Sequence, residues 1–153
     1  MDRKLTTVAA LLFLSAAVAA TAAEITPADA AYYADFADIA KNVGKDLDRL
    51  GDLFAKANSG KSYSAECEDR ASDLGDAYHK LEEKVPPADA VEAHKALMTS
   101  TESGAQASLE LAGYYKDTLK KKEKLDQALA TYEAAIGKYS DAMSAAPVGV
   151  GRK

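Results

Sequence analysis

The chain of 153 residues has one cysteine, two histidines and no long apolar run beyond its first two dozen residues. Each shortage removes a class of chemistry. A lone Cys67 makes no intrachain disulfide, and it has no Cys-x-x-Cys-His neighbourhood for covalent haem. No cysteine lies near the end of the N-terminal apolar run, so a lipid-modified cysteine does not tether a trimmed chain. Gly-x-Ser-x-Gly elbows, phosphate loops and dinucleotide fingerprints are missing, and no nucleophile is paired with a base. Aromatic residues make up 7% of the chain, and β-branched residues are also sparse, which disfavours sheet.

What is present begins with an export leader. Met1-Asp2-Arg3-Lys4 opens with net positive charge, and Val8 to Ala20 is apolar or small throughout except for Ser15. Ala20-Thr21-Ala22 and Thr21-Ala22-Ala23 offer two registers for signal peptidase, so residues 1–23 read as a signal peptide cleaved after Ala22 or Ala23. The competing reading is an uncleaved anchor, but Val8 to Ala23 falls short of the roughly 20 apolar residues a spanning helix needs. The expected location is therefore periplasmic or secreted. The full chain carries 19 basic and 24 acidic residues; loss of Asp2, Arg3 and Lys4 leaves 17 and 23, a net of −6. That balance disfavours nucleic acid and anionic lipid as partners.

Residues 24–146 read as one all-α domain, followed by 147–153 as a flexible tail. The stripe Tyr33, Phe36, Ala40, Val43, Leu47, Leu50, Phe54, Ala57 advances in steps of three and four. Thr26 is its expected N-cap, Pro27 its first residue, and Asn58-Ser59-Gly60 its end. A second stripe runs Cys67, Ala71, Leu74, Tyr78, Leu81, Val85, with Ser62 or Ser64 as cap and Pro86-Pro87 as stop. Cys67 lies on that stripe, where free cysteine behaves as a small buried hydrophobe. The third, Val91, His94, Met98, Thr101, Ala105, Ala112, Tyr115, Leu119, is diluted by small polar residues; the fourth, Leu125, Leu129, Tyr132, Ile136, Tyr139, Met143, is the cleanest. One helix from Ala88 to Ala145 would span about 87 Å, so a break is expected near residues 117–122. Short connections then give an up-down-up-down antiparallel four-helix bundle, with a three-helix bundle as the alternative. Six glycines (44, 51, 75, 104, 113 and 137) fall inside these helices, each costing up to about 1 kcal/mol against alanine.

Candidate sites are few. His79 and His94 flank Pro86-Pro87 evenly, so a hairpin turning there brings them to one level, with Asp76 a turn from His79. That set is a conceivable zinc or copper site. Its alternative is ordinary: neither histidine has a known ligand spacing, and a histidine near a helix end is commonly solvated. A small-ligand site lined by His94, Met98 and Tyr115 is a related expectation. Tyr32-Tyr33 and Tyr114-Tyr115 each put one ring on the core line and one about 100° round the helix; Tyr32 and Tyr114 are the candidate contact rings, against a core-edge role. Acidic residues including Asp46, Asp48, Asp52, Glu66, Glu82 and Glu83 read as a solvated face. No resident cofactor is expected.

The leader, a helical pair and then prolines followed by Ala93-His94-Lys95-Ala96-Leu97 resemble small exported helical proteins of unknown function. The resemblance implies architecture and transfers no functional residue. The sequence thus points to a non-enzymatic binding or structural role toward a protein or envelope component, self-association included, with the metal or ligand module as the alternative.

Overall fold

A computed structural model describes residues 25–147; the expected leader and the tail beyond Pro147 lie outside them. The described chain forms four helices: α1 (Pro27–Ala55), α2 (Ser64–Glu82), α3 (Val91–Lys116) and α4 (Lys122–Ala145). Thr26 caps α1 as its chemistry requires, its Oγ1 accepting from Asp29 N at 3.1 Å with Pro27 next in line. Past the end of α1, Gly60 takes φ 75°, which a side chain would resist. The cap of α2 differs from expectation: Tyr63 holds the N-cap position with no side-chain bond, and Ser62 and Ser64 face each other instead. Because α2 ends at Glu82, Val85 falls in the Pro-Pro connection and is 89% exposed.

The break between the last two helices falls at 117–121. Lys120 makes it, with φ 48° and an ammonium that donates to Tyr115 O at 2.7 Å over the rings of Tyr114 and Tyr115. A cation thereby covers bare carbonyls at the negative end of α3. Asp117 does not cap α4; it accepts from Leu119 N and pairs with Lys124. Leu119, placed in this turn, is 73% exposed.

Contacts between helices fix their directions. Asp35 meets Lys84 and Asp46 meets Arg70, so α1 and α2 run oppositely. Glu68 pairs with Lys116, Ser100 Oγ donates to Ala135 O, and Tyr139 reaches Ala40 O while Tyr132 reaches Leu47 O. Each successive pair is antiparallel, and α4 returns beside α1. The bundle is up-down-up-down, as its short connections dictate.

Its seams are unequal. Between α3 and α4 the buried residues are small: Ala93, Ser100, Ala107 and Ser108 on one helix, and Ala128, Ala135 and Ala142, one heptad apart, on the other. The sequence stripe on α4 is therefore rotated. Leu129 and Ile136, expected in the core, are 39% and 37% exposed, because Ala128, Ala135 and Ala142 take the side toward α3 and Tyr132 and Tyr139 the side toward α1. The hydroxyls within this seam are satisfied locally, Ser108 on Gly104 O and Thr101 on Met98 O.

Glycines separate into two groups. A Cβ at Gly44 would lie 2.5 Å from Tyr139 Oη, one at Gly51 would lie 2.6 Å from Tyr132 Oη, and one at Gly104 would meet Leu47 and Leu74 at 2.9 and 3.1 Å. Gly75, Gly113 and Gly137 would meet nothing within 4 Å. Close approach accounts for the first three and for none of the second. Gly75→Ala and Gly113→Ala should each raise unfolding free energy by about 0.5–1 kcal/mol, whereas Gly44→Ala should lower it by about 1–3 kcal/mol. Urea titration reads both, and the Gly44→Ala loss should shrink in the Tyr139→Phe background, where the nearest clashing atom is gone.

Candidate functional site

The chemistry-bearing side chains gather around α1. At its N-terminal end Tyr32 and His94 are buried together, Oη and Nδ1 3.0 Å apart. Beside them Tyr33 Oη donates to Asp89 Oδ1 at 2.6 Å, tying α1 to the turn that leads into α3. Burial pushes His94 below its ordinary range and lifts the Tyr32 phenol to about 12, with Tyr33 and Asp89 adding to the latter. Both partners are therefore neutral near pH 7, and their bond is of the ordinary neutral kind.

At the other end, Tyr115 Oη donates to Leu53 O at 2.6 Å and Tyr114 points at Ala57 O. Both rings are buried, so Tyr114 is not an outward contact ring. The Tyr32-Tyr33 expectation inverts: Tyr32 is the core residue and Tyr33 the edge. The physical reason is common to both. Where a helix has partners on two sides, a wider arc than one stripe is covered.

The expected metal set is not assembled. His79 is exposed, and its polar contact is Glu82, at 3.4 Å, because it stands about 200° round the helix from both Ala77 and Leu81, which face the core. Asp76 is also exposed, on an open cleft between α1 and α2. His94 turns to Tyr32 on α1. Among the described residues no group of three or more His, Cys, Asp or Glu side chains is placed to hold a metal ion. The companion expectation fails on length: His94 and Tyr115 are 21 residues apart on α3, about 31 Å, and they join different parts of the core. Met98 is half-buried against the first part alone. Cys67 is fully buried, and burial lifts its thiol to about 12, so it is a packing residue and not a nucleophile.

Two clefts flank α1. Toward α2 the cleft is polar, lined by Lys45, Asp46, Arg49, Asp73, Asp76 and Lys80; beside it Arg70 bridges Asp46 at 2.7 Å and Asp73 at 2.8 Å, with Arg49 3.6 Å from Asp46. Toward α4 the cleft is a groove of about 290 Å³ walled by Phe36, Ala40, Gly44, Tyr139 and Met143, with Lys41, Lys45 and Asp48 on its α1 rim. Tyr139 walls this groove, and Tyr132 repeats its contact one heptad earlier on α4. Tyr139 donates to Ala40 O and Tyr132 to Leu47 O, both at 3.1 Å. In each case the acceptor is the carbonyl four residues before a glycine, Gly44 or Gly51, whose missing side chain leaves room for the hydroxyl. The carbonyl's second lone pair takes the bond without loss of the helical one. Burial raises both phenols, with the charges of Asp48 (and of Asp52 at Tyr132) adding to it.

This pairing is the feature missed in the sequence. The signal was there: Gly44 and Gly51 are seven apart, and so are Tyr132 and Tyr139. No protein-family model, curated protein or solved structure matches the chain.

Stability should follow the His94 charge. The folded pKa lies below the ordinary 6.5, so between the two values the unfolded chain holds a proton that the folded chain refuses, and stability falls as pH falls. The loss should begin below about pH 6.5 and level off once the pH drops below the folded value. Unfolding free energies of wild type and His94→Gln, measured by urea from pH 7.5 to pH 4, should converge toward acid; parallel curves would disprove a buried neutral imidazole.

Proposed function

We propose that this protein is an exported four-helix bundle that acts by binding a protein or envelope component through the groove between α1 and α4, without catalysis. The observation that carries the reading is the groove itself. Its walls are aromatic, aliphatic and glycine backbone, its α1 rim is charged, and the Tyr139 hydroxyl in it is already bonded to backbone. A surface of that kind offers apolar area and shape to a partner, with rim charges for orientation. Leu129 and Ile136, three residues before Tyr132 and Tyr139 on α4, lie outside the groove lining and keep over a third of their area exposed.

The histidines, the usual proton carriers near neutral pH, support the same reading. His94 is sealed against Tyr32, and His79 stands alone with Glu82 on an open helix face. The export part of the proposal rests on the leader-like residues 1–23.

Two measurements test it. Intact mass of protein recovered from an exporting host should correspond to a chain beginning at Ala23 or Glu24; a mass retaining Met1 would remove the export reading. A photoreactive amino acid at position 136 should give a covalent adduct in the cell envelope or medium, while the same group at position 61, in the α1–α2 connection, should not. Equal absence of adducts at both positions would count against the groove.

A further inference from the structure

The rim of the groove has a charge order that identifies a partner. On α1 the positions 41, 45, 48 and 52 advance by four, three and four, one stripe of the helix, and carry Lys, Lys, Asp and Asp. All four are exposed. Lys41, Lys45 and Asp48 line the groove, and Asp52 lies close enough to Tyr132 to raise its phenol. Among the described residues none of the four enters an ion pair within the chain, although nine pairs of Lys or Arg with Asp or Glu form elsewhere. Like charges four apart on a helix repel, so Lys41–Lys45 and Asp48–Asp52 are two unfavourable spacings, against one favourable three-residue spacing of Lys45 and Asp48, on the face that borders the apolar groove.

An identical helix laid antiparallel reverses that. Lys41 then stands against Asp52 of the partner subunit and Lys45 against Asp48 of the partner subunit, and both pairings share a midpoint between residues 46 and 47. A shared midpoint is the requirement for a twofold, isologous contact, in which each surface is its own complement. The bundle places an apolar residue at that level. Gly44 faces Tyr139 and Gly51 faces Tyr132, so the stretch of α4 opposite 46–47 is 136–137, and Ile136 is 37% exposed. It would meet Ile136 of the partner subunit on the axis, flanked by two Lys–Asp pairs on either side.

We infer that the α1/α4 groove takes a second copy of this chain, in a reversible antiparallel dimer whose register is set by Lys41 and Lys45 of each subunit against Asp52 and Asp48 of the other. The inference rests on the reading of this groove as the binding face and names its occupant.

Charge exchange tests it on protein from an exporting host. Wild type should show a concentration-dependent monomer–dimer equilibrium by sedimentation, weakened as salt rises from about 0.05 to about 0.5 M. The double variants Lys41→Asp/Lys45→Asp and Asp48→Lys/Asp52→Lys should each associate at least about tenfold more weakly. Mixed together they should recover wild-type affinity as a heterodimer, because every pairing is again opposite in sign. Circular dichroism will show that both remain helical, as these exposed positions allow. A carbodiimide should join Lys41 to Asp52; eleven residues separate them along one helix, about 16 Å, so that bond forms only between subunits.

Strictly monomeric wild type, association indifferent to both charge reversals, or association abolished by Cys67→Ser would each overturn the dimer. A monomer that still gives photoadducts with another protein at position 136 would refute the second copy and leave the groove reading standing. A monomer with no adducts would remove both.

Discussion

A buried tyrosine hydroxyl must find a partner; Tyr32 has His94, and four other tyrosines use backbone carbonyls of α1 or of the residues just past it. Tyr115 and Tyr114 on α3 and Tyr132 and Tyr139 on α4 all end there, at Leu53, Ala57, Leu47 and Ala40. Those carbonyls lie inside or just past a helix that already uses them, so each bond draws on a spare lone pair and disturbs no ladder. Each contributes about 0.5–1.5 kcal/mol net, but its geometric effect is larger than its energy. At Tyr132 and Tyr139 it sets how near α1 can come to α4, and there it demands the glycines Gly51 and Gly44 beneath the hydroxyls.

The asymmetry of the molecule follows. Alanine and serine let α3 and α4 approach closely, and Ser100 bonds across to Ala135 O. Tyrosine rings stand between α4 and α1 and hold those two helices apart. A bundle with one narrow and one wide seam cannot close evenly, and the wide seam remains as the groove. The absence of any disulfide is compatible with this design, since Cys67 is simply part of the packing at the upper end of the core.

Helix existence, order and most boundaries were legible in the residues. Thr26-Pro27, Gly60, Pro86-Pro87 and the polar stretch at 117–121 are local signals, and local sterics decide them. Helix rotation was not. The Leu125-to-Met143 series has the stronger hydrophobic period, yet Ala128, Ala135 and Ala142 take the core, because which stripe is buried depends on how closely the neighbour can approach. The same limit governs the sites. Equal spacing from Pro86-Pro87 fixes the level of His79 and His94 but not their direction, and direction separates them: one bonds Tyr32, the other stands in solvent. Val85 failed for a simpler reason, because α2 stops one turn before it. The Gly44–Tyr139 and Gly51–Tyr132 pairing was visible only as matched seven-residue spacings, which acquire meaning once the two helices are known to be neighbours.

α1 borders two clefts, and their chemistry divides the work between them. On the α2 side, Asp46 and Arg70 are largely buried as a pair and Asp73 completes the bridge, so charge is neutralised within the chain. Exposed pairs contribute little to stability, but this one, with side chains only 13% and 19% exposed, keeps α1 and α2 in register. On the α4 side the arrangement is opposite: the neutral tyrosines bond inward to backbone, and the rim charges Lys41, Lys45, Asp48 and Asp52 are left without ion-pair partners among the described residues. Unpaired rim charge around an apolar strip is a poor way to stabilise a monomer and an effective way to select orientation. The seam toward α4 is thus the one that combines exposed apolar area with charges that the fold does not pair.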